Sequence, residues 1–458
     1  LPFSPDQNFN VASSLPNANG ITVALPNSND GVFPTITGGA NDLVTLGTGT
    51  VLSGFQIRGA ANHGVTAMDV DNVELRNNLI ENSGGSGVAF NNVGGSIVLF
   101  DNEINNSVDR GIQIQNSLTQ QSVEVAIAGF DLNNNAVGME FLAMASDTEF
   151  PSQRIVVGPS TAANTSVGTP NGTALTNSIL NSGGEGIVAE ATGSATVLAS
   201  AASQELLISE TTVDISGADG IRLLTRNGAN SQEFAFTRGT VSDSTGNGLT
   251  FVNGEDTGGP IRTAAVQEIV VRESTISDNG ANGIDVTLAA AGAQELVIRN
   301  THTATNTGDG IRSGAEDLTA QEWLTDATGD SGISDNTISG NGGQAIVIEV
   351  TDTATLPIVS VVNNTLSGNT TGPDVEITST SMPNASAAAC LIVRDNLAPM
   401  GIAITGADPI LTGGLPSVLV QDLPALVADI NITFSADPVI PGSSNLAPFQ
   451  NETNGCIP

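Results

Sequence analysis

Short aliphatic runs alternate along this chain with stretches of Asn, Asp, Gly, Ser and Thr, and the spacing between the runs is constant. Seven segments align: "NLIENSGGSGVAF" (78–90), "NEINNSVDRGIQI" (102–114), "NSILNSGGEGIVA" (177–189), "TTVDISGADGIRL" (211–223), "GTVSDSTGNGLTF" (239–251), "ESTISDNGANGIDV" (273–286) and "NTISGNGGQAIVI" (336–348). In each, one aliphatic residue is followed eight positions later by another, usually just after Gly, as in Ile80/Val88, Val213/Ile221, Ile276/Ile284 and Ile338/Ile346. Gln-Glu recurs at Gln204, Gln232, Gln267 and Gln294, and in all four cases the aliphatic after Gly stands 17 residues later. No 3.6-residue period accompanies these runs, so they predict short strands rather than helices.

A fixed ruler between two strands, with a return path of variable length, describes one coil of a solenoid. Both strands must stack on their neighbours about 4.8 Å away, which fixes their separation, whereas the remaining edge can loop out. The coil length, 23 to 35 residues, fits a parallel β-helix. Asn279-Gly280 and Asn282-Gly283 read as the corner between the pegs Ile276 and Ile284, because Gly and Asn tolerate left-handed conformations. Gln204, Gln232, Gln267 and Gln294 read as an outward ladder of side-chain hydrogen bonds between coils.

Three regions follow. Residues 1–46 are Pro- and Asn-rich and are expected to cap the first coil. Residues 47–379 are expected to hold roughly twelve coils, interrupted by an excursion over 145–174 that projects as a flap. Residues 380–458 carry nine prolines and both cysteines, and read as a cap, a small β-domain or a docking extension.

At this point the chain resembles the secreted right-handed parallel β-helix proteins of the pectate-lyase-like superfold. "LVTLGTGTVLSGFQIRGAANHGV" (43–65) looks like the first coils of bacterial surface members, and "ISDNGANGIDV" like their usual repeat, over about residues 45–378. The resemblance implies an all-β, right-handed solenoid. It leaves activity open, since the family holds lyases, hydrolases, tailspikes, adhesins and filament-forming surface proteins.

Composition narrows the options. The 458 residues include 47 acidic and 12 basic side chains, a net charge of −35, and every basic residue is Arg. Such a chain repels nucleic acid and anionic lipid, which argues against both as partners. No stretch approaches the roughly 20 apolar residues of a membrane span, so no insertion is expected. The chain begins at Leu1 and is expected to be a processed, extracellular or cell-surface form. Cys390 and Cys456 are then expected to form a disulfide, closing a loop worth on the order of 4 kcal/mol in the chain-entropy model.

Candidate chemistry is sparse. The uronate lyases of this fold resemble one another in a Lys base beside an acidic calcium cluster, and the galacturonan hydrolases in paired carboxylates, a Gly-His-Gly and an Arg-x-Lys. This chain has no Lys, no Asp-Asp pair and no Gly-His-Gly. Arg272 and Arg299, equivalent in their coils and followed by Glu273 in one case, could serve as an Arg base or simply form an outer charged ladder with Glu268 and Glu295. His302 and Thr303 break the repeat where Thr275 and Ile276 stand one coil earlier. "MDVDNVE" places Asp69, Asp71 and Glu74 along one strand edge, an oxygen-rich set suited to a structural Ca²⁺, with no other cofactor expected.

The expectation is therefore a non-enzymatic extracellular β-solenoid that self-associates noncovalently, head to tail, into a filament, sheath or adhesin-like stalk. A lyase with an Arg base and Ca²⁺, and a glycan-binding adhesin or tailspike-like rod facing a surface polysaccharide, remain the alternatives.

Overall fold

The computed structural model describes residues 22–24, 34–117, 122–145, 151–158, 177–193, 202–226, 229, 231–255, 266–288, 293–315, 320–321, 332–352, 358–381, 389–407, 418–421, 423–429, 431–437 and 449–452. Each predicted run is a strand because its apolar residues alternate. In Val266–Arg272, for example, Gln267, Ile269 and Val271 are buried while Val266 and Glu268 are exposed.

The strands stack in three parallel ladders. The first holds the strands after the Gly step, from Val44–Leu46 to Ile432–Asp437, as one fourteen-stranded sheet among the described residues. Equivalent residues pair without slippage, Ile221 on Leu249, Leu249 on Ile284 and Ile284 on Ile311. The second ladder holds the Gln strands, including Ser203–Ser209, Ser231–Thr237, Val266–Arg272 and Ala293–Arg299. The third holds the short strands, among them Thr240–Ser242, Thr275–Ser277, His302–Ala304 and Thr337–Ser339. The second and third are joined where Gly94–Asn105 and Ser122–Asn133 run continuously round a corner. Ile276 and Ile284 both point into the core, as the eight-residue ruler predicts. Phe90, Phe130, Phe141, Phe234, Phe236 and Phe251 are its largest fully buried side chains, with Phe234 tilted against Phe251 at 5.2 Å.

Several expectations need correction. The roughly twelve coils expected over 47–379 are present, as the twelve strands from Val44–Leu46 to Val375–Ser381, but Ile402–Ala407 and Ile432–Asp437 lengthen the ladder beyond them to fourteen strands, a rod of about 60–65 Å. The ladders cross both boundaries, 46/47 and 379/380: Thr35–Thr37 already pairs with Gln56–Arg58, and Ala389–Arg394, Val418–Gln421 and Phe449–Glu452 continue the Gln-strand ladder. The Pro-rich composition hid this, because those prolines leave enough unbroken aliphatic runs between them. The supposed flap over 145–174 contains a core strand, Ser152–Val157, seated between Ser122–Ile127 and Ser203–Ile208. Cys456 lies outside the described residues, and so does the expected bond to Cys390.

The corner chemistry also differs from expectation. The left-handed residue after the short strand is Asp278 (φ 59°), with Asn82, Asn106, Asn134 and Asp243 in the same place in other coils. Gly280 and Gly283 do not carry positive φ; they are needed for room. A Cβ on Gly283 would sit 2.3 Å from Thr303 Cγ2 and 2.6 Å from the Gly310 carbonyl oxygen. One on Gly280 would meet the Thr245 carbonyl oxygen at 2.2 Å.

The short-strand ladder is not parallel throughout. Thr22–Ala24 lies antiparallel on Thr35–Thr37 at one end. A single turn and a half of helix, Leu423–Ala428, follows Val418–Gln421 and lies against Ile432–Asp437 and Phe449–Glu452, with Leu423 and Leu426 packed on the core.

Thr303 exposes a flaw inside the stack. It is fully buried between Ile276 and Ile338 in the aliphatic column, and its hydroxyl has no hydrogen-bond partner. Thr303→Val keeps the branched shape and removes that burden, so the variant should be more stable by about 1 kcal/mol. Urea unfolding checks this, and equal or lower stability would contradict the reading of the site.

Candidate functional site

The polar side chains that first suggest chemistry are gathered mainly into ladders that run along the rod. Gln204, Gln232, Gln267 and Gln294 point inward and are buried, the reverse of the outward ladder expected. Each Nε2 donates to the Oε1 one coil earlier, Gln204 to Gln153 at 2.9 Å, Gln232 to Gln204 at 2.9 Å, Gln267 to Gln232 at 2.8 Å and Gln294 to Gln267 at 2.6 Å. Gln153 in turn donates to Asn116 Oδ1 at 3.0 Å and to the Leu142 carbonyl at 2.8 Å. A second hydrogen of the same amides reaches backbone, as from Gln204 to Phe141 O at 3.2 Å. A buried primary amide is tolerable only when both halves are paired, and a stack of identical coils supplies that pairing.

Asn forms two more such ladders. Asn279 Nδ2 donates to Asn306 Oδ1 at 2.8 Å, Asn306 to Asn341 at 2.9 Å and Asn341 to Asn369 at 3.1 Å, ending on the buried Asp374 carboxylate at 3.0 Å. Each Oδ1 also accepts a backbone N–H from the coil before, for example Ser244 N to Asn279 at 3.1 Å. Asn336, Asn364 and Asn396 repeat the arrangement at the other corner, at 3.0 and 2.9 Å. At the turn surface, Asp219, Asn247, Asn282 and Asp309 each accept the backbone N–H of the next coil at 2.8 Å.

The outer faces carry the charge. Glu205, Glu233, Glu268 and Glu295 stack in register, one per coil, and Arg154 closes one end through a 2.9 Å ion pair with Glu205. The Glu233 carboxyl is pushed above the ordinary Glu value by partial burial first and by Glu268 and Glu205 second. Asp243 is raised by desolvation and then by Asp214 and Asp278. Asp285, the more deeply set, is raised by burial despite Asn282 and Arg312 beside it. Asp101 is raised by burial as well, against the pull of Arg76.

The other candidates from sequence are scattered. Asp69, Asp71 and Glu74 do not converge, and among the described residues no group of three or more His, Cys, Asp or Glu is placed to hold a metal. Left-handed conformations at Asp69 and Asn72 break the extended run that would have put the two Asp on one face, and Glu74 is paired with Arg76. Asp69 accepts from Asn92 at 3.3 Å instead. Arg272 and Arg299 are stacked in register, and Arg299 donates to Asp335 of the next coil at 3.1 Å. His302 is exposed on the short-strand face, whereas His63 accepts the Ser86 N–H through Nδ1 at 2.9 Å. Gln153 was missed because Arg, not Glu, follows it. The shared "SQ" of "PSQRIVV" and "ASQELLI" is the signal that could have found it.

Among families of known proteins, residues 167–392 match the model described as a right handed beta helix region. No curated protein matches the chain.

The ladder and the charge each give a test. Gln232→Leu would strand Gln204 Oε1 and one Gln267 N–H in the core, and should cost about 3 kcal/mol of unfolding free energy. A loss below about 1 kcal/mol would mean that the rungs are dispensable. For the raised carboxyls, protonation is favoured in the folded state, so their stabilisation is complete below the unfolded values and lost as pH rises through the folded ones. The melting temperature should therefore climb as pH falls from neutral toward the ordinary carboxyl range, 4.5 for Glu. Glu233→Gln should raise it at neutral pH and flatten that slope; a melting temperature that falls steadily on mild acidification would contradict the assignment.

Proposed function

We propose that this chain, whose residues 167–392 match the right-handed β-helix model, works as an extended acidic rod outside the cell, a stalk or filament subunit whose task is mechanical rather than catalytic. The observation that carries the reading is the use of its polar residues. The Gln and Asn that resemble a site in sequence are committed, rung by rung, to holding one coil on the next. A catalytic reading needs such groups free to meet a substrate.

Self-association would use the rod ends. Among the described residues, Val44–Leu46 and Val51–Ser53 begin two ladders, and Ile432–Asp437 and Phe449–Glu452 end the same two. A copy placed end to end would continue both in parallel register, a heterologous contact that propagates. The short-strand ladder, which starts from the antiparallel Thr22–Ala24, would sit out of that contact, and the helix Leu423–Ala428, which lies against both terminal strands, would have to be accommodated in it. Electron microscopy of the purified chain over a concentration series tests this. Filaments with an axial repeat of about 65 Å are expected. Isolated rods at every concentration would sink the polymer reading, and an ultraviolet signal from unsaturated product on uronate polymers would sink the mechanical one.

A further inference from the structure

The Asn-Gly steps carry a chemistry that stacking does not use. In a flexible chain the Gly nitrogen, on losing its proton, attacks Asn Cγ; a C–N bond forms and ammonia leaves. Water then opens the succinimide at either carbonyl, giving Asp or isoaspartate. The reaction needs an uncommitted Gly N–H, a side chain free to swing onto it and a backbone free to bend.

In four steps of the solenoid turns all three conditions fail together. Gly280 N donates to Ser244 O at 2.7 Å, while the Asn279 side chain is held by Ser244 N and Asn306 Oδ1. Gly342 N donates to Asn306 O at 2.8 Å, and Asn341 Oδ1 accepts from both Asn306 N and Nδ2. Gly283 N donates to Asp309 O at 2.9 Å, with Asn282 Nδ2 on Asp285 at 3.0 Å and its Oδ1 on Asp309 N. Gly248 N donates to Asn282 O at 3.0 Å, with Asn247 fixed by Thr250 and by Asn282 N. The bond that holds each Gly N–H and the bond that each Asn Oδ1 accepts come from a neighbouring coil, and only the Nδ2 groups of Asn247 and Asn282 are held within their own turn, so each step depends on stacking.

We infer that these Asn-Gly steps are latent modification sites, sealed against cyclisation while the coils are stacked and released to deamidate wherever a coil opens. The change would be one-way. Asp at position 279 would put a carboxylate where the side chain is buried and would remove the donor to Asn306. Isoaspartate would add a methylene to a turn that sits within contact of the coil below. An opened coil thus could not close again as it was, and the inference holds whether the rod is a filament, a stalk or a binding protein.

The test compares the folded full-length chain, the same chain in urea and a synthetic peptide of residues 273–286, all in one mildly alkaline buffer. Peptide mapping by mass spectrometry follows ammonia loss and isoaspartate at Asn279 and Asn282. Because reaction would require local opening, the folded chain should react at least about tenfold more slowly than the peptide, and the urea-unfolded chain at the peptide's rate. A smaller slowing in the folded chain overturns the inference. Asn306→Ala unties Asn279 without touching Asn247. If its circular dichroism remains native, Asn279 should react faster than in the parent while Asn247 does not, and unchanged Asn279 would place the protection elsewhere. If the variant does not fold, the comparison of folded parent and peptide decides alone.

Discussion

The roughly 4.8 Å between one coil and the next governs this structure. At that separation every side chain lies against its own equivalents above and below, so a residue type is acceptable only if it can be repeated. Ile, Val and Leu satisfy this by dispersion and burial, and amides by donating to one neighbour and accepting from the other. Glycine satisfies it by having nothing to place there. Gly64, Gly87, Gly186, Gly220, Gly248, Gly283 and Gly310 all lie where a Cβ would strike the next coil within 3 Å. These glycines are there for want of space; the left-handed residue after the short strand is a separate position, held by Asn or Asp in several coils and by Gly59, Ile215, Thr305, Gly340 or Gly368 in others.

The amide ladders have direction. The Gln donors point toward the N-terminal coils and finish at Asn116, whereas the Asn donors of the 279–369 column point toward the C-terminal coils and finish at Asp374. Each chain of aligned amide dipoles therefore ends on a group suited to its polarity, a further acceptor for the N–H end in one case and a carboxylate in the other. Where the column passes from Asn279 to Ser244, Ser216 and Ser182, the ladder stops, and those hydroxyls lie buried with no partner. That corner column is amide-bonded only from Asn279 onward.

Much of this was legible in sequence, because stacking converts spacing into structure. The eight-residue ruler located the inward pegs, and the recurrent Gln-Glu located the start of the long strands. What the pattern could not tell was which way the Gln faces. A lone Gln belongs in solvent, and only a column of them makes burial acceptable. Gln153 was hidden by the Arg after it and by the low-complexity text around its strand. The C-terminal coils were hidden by prolines that fall between strands rather than within them. The carboxylates of 69–74 suggested a cation because period two was assumed to hold there, and two left-handed residues break it.

The same geometry explains how so acidic a chain remains folded. Stacking repeats charge as readily as it repeats Ile, so Glu205, Glu233, Glu268 and Glu295 face one another at one coil's separation. In water each such contact opposes stacking by about 1 kcal/mol, less with salt. Beneath the same four residues run the four Gln rungs and an unbroken backbone ladder, each rung contributing of the order of 1 kcal/mol while leaving no buried amide unpaired. Attraction is thereby placed in the core, where the dielectric is low and salt does not reach. Repulsion is placed on the surface, where water and counterions weaken it. Inverting that order, with Glu inside and Gln outside, would keep the composition and lose the fold.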